Sequence, residues 1–144
     1  MHAAAARERI GILIVDDQQP FAEGLMTVLG EDDRLEVCGH ARDGEEAIRL
    51  VASLRPDLVL MDVAMPRMDG IEATRRIKNE APDLPVIMLT SSPSDDDIER
   101  AARVGAAGYL TKRTAMTDLI STAVELAALA KAFSVPRVTP APTS

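Results

Sequence analysis

Five times along this chain a short apolar run stops on a polar residue and gives way to a helical pattern, and few folds accept that rhythm. Ile10 to Val15 reads IGILIV and ends on Asp16-Asp17. It is too short for a helix and β-branched enough for a buried strand. Leu35 to Gly39 is a weaker strand, followed by a loop around His40 and Arg42. Leu58-Val59-Leu60-Met61 ends abruptly on Asp62, Pro85 to Leu89 ends on Thr90, and Gly105 to Leu110 ends at Thr111-Lys112.

Helix signals fill the intervals. Pro20 sits where a first turn tolerates it, and Phe21, Leu25, Val28 and Leu29 follow at amphipathic spacing. Asp43 reads as an N-cap with Glu46 three residues on, opening a helix whose buried side is Ile48, Val51 and Leu54. The device recurs at Asp69-Gly70-Ile71-Glu72, which opens a helix through Ile77 that ends before Pro82. SSPSDDD starts a polar, Ala-rich helix through Ile98 and Ala102 to Val104, with a modest apolar face. A last helix is expected from Thr114 to Ala132. Met116, Leu119, Ile120, Ala123, Val124 and Ala127 form its core stripe, with Leu126, Leu129 and Phe133 toward another face.

Alternation of this kind predicts an α/β fold: a five-stranded parallel sheet with helices on both faces. Right-handed crossovers leave few topologies, and the flavodoxin-like (βα)5 order 2-1-3-4-5 is the commonest for five strands. The 144 residues fit one domain. Its expected bounds are 10–132, after a disordered extension over 1–9 and before a linker or tail over 133–144, where VPRVTPAPTS has prolines and no periodicity. Only Phe21, Tyr109 and Phe133 are aromatic, so the core is aliphatic. Cys38 is the single cysteine, expected as a small buried apolar group, and excludes an internal disulfide. No apolar stretch approaches the roughly 18 residues of a membrane span, and no signal peptide pattern opens the chain. A cytoplasmic location is expected. A net charge of −7 argues against direct grip on a nucleic-acid backbone.

In the predicted topology Asp16, Asp17, Asp62, Thr90 and Lys112 all fall at carboxyl ends of strands, where such folds bind ligands. Two carboxylates 4 Å apart repel by roughly 4 kcal/mol at an effective dielectric near 20. That is a large share of a stability of about 5–15 kcal/mol. One ammonium cannot balance three acids, so the cluster predicts a hard divalent cation, Mg²⁺ or Mn²⁺, on oxygen ligands. A cation beside a carboxylate, a hydroxyl and a lysine suits phosphoryl chemistry, with Asp62 as nucleophile. Neither histidine is placed for hydrolysis: His2 lies in the extension, and His40 is expected as a solvated loop residue.

VDD at Val15 to Asp17, VLMDVAMPRMDG around Asp62, LTS at Leu89 to Ser91 and GAAGYLTK at Gly105 to Lys112 together resemble a response-regulator receiver domain of the CheY-like superfamily. The loop phrase MPRMDG and the segment GAAGYLTK look most like the receivers of NarL/LuxR-type transcription regulators, and the resemblance covers about residues 10–132. The resemblance implies that Asp62 accepts a phosphoryl group from a phosphohistidine on a sensor histidine kinase. It implies Mg²⁺ bound by Asp16, Asp17, Asp62 and the backbone carbonyl of Ala64. Thr90 and Tyr109 would be the switch pair, and Lys112 the phosphate ligand. Tyr109 could instead be a strand-end aromatic half-buried against the last helix. Family members often have a cis peptide after the lysine, usually to proline. Arg113 stands there in this chain, and a non-proline cis bond costs roughly 3–4 kcal/mol, which leaves the isomer open.

The expected function is therefore a two-component signalling module, and not an enzyme beyond self-phosphorylation and slow self-dephosphorylation. Output is expected through a DNA-binding domain beyond the tail; a stand-alone receiver acting by protein contact is the alternative. A phosphorylation-dependent homodimer would use the last helix or the face from Ser94 to Tyr109. A Mg²⁺-dependent aspartyl-phosphate phosphatase would want a second acid where Ala64 stands. A flavin-binding domain would want a phosphate-cradling loop where DDQQP stands.

Overall fold

The computed structural model describes residues 9–138, with side chains through Leu129. Strand β1 (Ile10–Val15) is followed by α1 (Gln19–Gly30), β2 (Leu35–Ala41), α2 (Gly44–Leu54) and β3 (Leu58–Asp62). Then come α3 (Gly70–Glu80), β4 (Val86–Thr90), α4 (Asp95–Arg103), β5 (Gly108–Thr111) and α5 (Lys112–Val138). All pairings are parallel and the sheet order is β2-β1-β3-β4-β5, as the alternation predicts.

The apolar runs are continuous because the sheet is covered on both faces. Successive side chains of a strand point to opposite faces. Leu13, Val15, Val59, Met61 and Met88 join the core under α2, α3 and α4. Ile12, Ile14, Leu58, Leu60 and Leu89 join the core under α1 and α5. Capping side chains mark three helix starts: Asp43 accepts from the Glu46 N–H, Asp69 from the Glu72 N–H, and Ser94 from the Asp97 N–H. Glu46 reaches back to the Arg42 N–H at 2.9 Å, a variant of the reciprocal capping box.

Several expectations need correcting. Strand β2 runs on to Ala41, because β1 offers partners as far as Val15 after the register slips by one residue between Ile12 and Leu13. The slip leaves Cys38 half-buried, its Sγ 3.5 Å from the Ile12 carbonyl oxygen. His40 is thus a strand residue. Leu54, Ile98 and Met116 are more than a third exposed; only Gly44 and Ala47 are fully buried in α2, and only Ala101 in α4. Small residues take the closest approach there and leave the larger ones at the rim. Leu126 packs against the core under α1 and α5, whereas Leu129 is exposed.

Helix α5 begins at Lys112 and its backbone continues to Val138, six residues past the expected end. Extending an existing helix is far easier than nucleating one, so Pro136 costs a bond without stopping the helix upstream. The expected tail over 133–144 therefore begins as helix, and its last six residues lie outside the described ones, as do residues 1–8 of the expected extension. No cis peptide occurs among the described residues, so the Lys112–Arg113 bond is trans. No described helix is long and apolar enough to cross a membrane.

Candidate functional site

The carboxyl ends of β1, β3, β4 and β5 converge on one acidic centre. Asp16 is fully buried, Asp62 is 4% exposed, Thr90 5% and Lys112 8%, while Asp17 faces solvent. One carboxylate oxygen from each of Asp16, Asp17 and Asp62 lies within 4.8 Å of the others. The sheet dictates this meeting. Val15 and Met61 are paired neighbours, so the residues that follow them emerge side by side.

Lys112 is the single cation facing these acids among the described residues. Its Nζ lies 2.8 Å from Asp16 Oδ2 and 3.6 Å from Asp62 Oδ2. The Asp16 contact is an ion pair without the direction of a hydrogen bond, for Asp16 Oδ2 is buried and has no hydrogen-bond partner. Asp16 Oδ1 accepts the Gln18 N–H at 2.7 Å. Burial, followed by the negative charge of Asp16, pushes the Asp62 carboxyl up to about 7. Lys112 and the Ala64 N–H, 3.3 Å from Asp62 Oδ1, pull the other way, and Asp17 adds to the rise.

This donor set fits a hard divalent cation. It is all oxygen, carries more negative charge than Lys112 balances, and includes a buried carboxylate oxygen lacking a hydrogen bond. Asp16, Asp17 and Asp62 can hold it through their side chains.

Thr90 is at the site's edge, but its hydroxyl is engaged in its own loop. It donates to the Ser92 carbonyl and accepts the Ser92 N–H, both at 3.1 Å. Tyr109 is paired in register with Met88 and packs half-buried against the core under α2, α3 and α4. It therefore does not lean on the last helix, which packs on the opposite face. Its hydroxyl is buried without a hydrogen-bond partner. Ala64 is exposed.

Four contributors are ones that composition and spacing do not assign to the site. Gln18 Oε1 accepts from Lys112 Nζ at 2.7 Å, and the ammonium sits 4.6 Å from the centre of the Phe21 ring. His40, expected in solvent, is half-buried, with Nε2 2.9 Å from the Asp16 carbonyl oxygen; Nε2–H is the donor, since a carbonyl only accepts. Gly70 packs so tightly under the site that a Cβ there would run into the Asp62 carbonyl oxygen. The Gly70 signal was present in the Asp69-Gly70 helix start, though it reads there as a turn preference and not as a close approach.

Comparison with known proteins agrees with this architecture. A family model for the response regulator receiver domain matches residues 12–124. The transcriptional regulatory protein DegU of Brevibacillus brevis is 36% identical over 139 residues, 96% of this chain and 58% of the relative. The response regulator protein VraR of Staphylococcus aureus is 40% identical over 110 residues, 76% of this chain and 53% of the relative. The chain thus spans a little over half the length of these relatives. Among solved structures, the receiver domain of the putative response regulator NarL from Mycobacterium tuberculosis superposes with a TM-score of 0.76 at 28% identity. That match covers 83% of this chain and 97% of the other.

Proposed function

The chain belongs to the response regulator receiver domain family, and from that premise we propose that Asp62 accepts a phosphoryl group from a phosphohistidine on a sensor kinase. The observation that carries the reading is the buried Asp62 carboxylate at a strand tip, with two further carboxylates within 4.8 Å and the Lys112 ammonium 3.6 Å away. An Asp62 oxygen attacks phosphorus in line. The P–N bond of the donor breaks, its electron pair stays on the imidazole, and the product is an acyl phosphate. Asp16, Asp17, Asp62 and the Ala64 carbonyl would hold Mg²⁺ or Mn²⁺, which when bound would neutralise charge on the phosphoryl oxygens. Lys112 takes one of those oxygens, and Thr90 another once its hydroxyl leaves Ser92.

The release of Thr90 is the switch. Moving an equilibrium from 1:99 to 99:1 takes about 5.5 kcal/mol, and one charge-assisted hydrogen bond supplies about 1.5–3 kcal/mol. Lys112 and the rearranging loop after β4 must share the work, with Tyr109 filling the space that Thr90 leaves. Ala64 has no group to activate water, so the module holds its phosphoryl group and does not act as a phosphatase. Its output is transcriptional control through a DNA-binding domain, and phosphorylation promotes a homodimer. The protein works in the cytoplasm.

Intact-mass measurement after acetyl phosphate, with and without Mg²⁺, tests the reading. One phosphoryl mass is expected in wild type with Mg²⁺, and none in Asp62→Asn. Thr90→Ala should still label but lose the accompanying shift in sizing chromatography. Labelling of Asp62→Asn at the wild-type rate would discard Asp62 as the acceptor.

A further inference from the structure

The Lys112 ammonium is held by neighbours of unlike chemistry. Its shortest contact, 2.7 Å, is to the neutral amide oxygen of Gln18, and the buried Asp16 carboxylate follows at 2.8 Å. Asp62 stands off at 3.6 Å, beyond hydrogen-bond reach. The Gln18 backbone is itself tied to the site, its N–H donating to Asp16 Oδ1 at 2.7 Å. That bond sets the turn from which the amide side chain is aimed at Lys112.

To meet a phosphoryl oxygen on Asp62 the ammonium must cross the remaining gap and yield a contact it already has. Once a divalent cation shares the fully buried Asp16 carboxylate, that charge stays balanced without Lys112, and the contact that still holds the ammonium back is the amide oxygen of Gln18. Yielding Gln18 leaves a neutral amide on an exposed residue, where water replaces the lysine. We propose that Gln18 is a positioning residue that holds Lys112 back from Asp62 and thereby sets the rate at which the phosphoryl group is captured. The inference rests on the phosphoacceptor reading of Asp62.

The test follows phosphorylation of the full chain by acetyl phosphate and Mg²⁺ in wild type, Gln18→Leu and Gln18→Asn. In this reaction the Asp62–phosphorus bond forms as the donor P–O bond breaks, and the electron pair leaves with acetate. Gln18 makes no side-chain capping bond to α1, so neither variant disturbs the helix start. Gln18→Leu has no acceptor and should label about tenfold faster, the lower range of one charge-assisted hydrogen bond expressed as a rate. Gln18→Asn keeps the polarity but falls one methylene short of Lys112, and it should behave like the leucine variant. Proton exchange at the Lys112 ammonium, read by ¹⁵N NMR, should quicken in both variants. Unchanged or slower labelling in Gln18→Leu, or an asparagine variant that matches wild type, would overturn the proposal. If wild type itself takes no label at Asp62, the phosphoacceptor reading falls, and this inference with it.

Discussion

Asp62 carries opposing demands at the scale of one residue. Burial and the Asp16 charge push its carboxyl from 3.8 up to about 7, so the folded protein holds that proton more tightly than the unfolded chain does. The stabilisation from protonating Asp62 is complete below about pH 4 and is lost as pH rises through about 7. Asparagine keeps the shape without the charge. Asp62→Asn should therefore exceed wild type in stability by about 1–3 kcal/mol at pH 8 without Mg²⁺. The gap should close by pH 4, and urea unfolding at the two pH values measures it. A variant less stable than wild type at pH 8 would contradict the electrostatic account. The position of Asp62 was legible as the polar end of an apolar run. Its elevated proton affinity was not, because that depends first on how deeply the fold buries Asp62 and then on the Asp16 charge brought beside it.

At the scale of elements, the joint between β3 and α3 is the tightest. The Gly70 N–H donates to the Val63 carbonyl at 2.8 Å, and a Cβ at residue 70 would run into the Asp62 carbonyl oxygen. Gly70→Ala should cost about 1–3 kcal/mol through overpacking and slow phosphorylation by shifting the loop that bears Ala64. Gly30, at the end of α1, has open space around it, and Gly30→Ala should be neutral or stabilise by up to about 1 kcal/mol. Thermal unfolding of the two variants separates a steric cause from a general glycine effect. Elements with strong caps or continuous apolar runs, such as α2 at Asp43 and β3, were legible in advance. The far end of α5 was not, since proline-bearing composition says where periodicity stops and not where an established helix frays.

At the scale of the whole molecule, the site exists only because the sheet order places β1 beside β3. A cation bridging Asp16, Asp17 and Asp62 would tie those strand ends together and stabilise the fold by about 2.7 kcal/mol at a hundred times its dissociation constant. Since Asp62 must lose its proton to take the cation, the Mg²⁺-induced rise in melting temperature should be large at pH 8. It should shrink as pH falls below about 7. No rise at pH 8 would remove the cation from the account. The sequence alone determined the alternation of strands and helices, the topology that follows from parallel crossovers, and the acids, hydroxyl and lysine waiting at strand ends. These are local signals, written in runs, caps and spacings. Only the tertiary structure decided that Lys112 rests on Gln18 and Asp16 short of Asp62, that Thr90 is bound within its own loop, and that His40 meets the Asp16 carbonyl. The Lys112 and His40 contacts depend on distances of a few ångströms between residues far apart in the chain, set by packing across the whole sheet, and the Thr90 bonds on the turn the loop takes after β4.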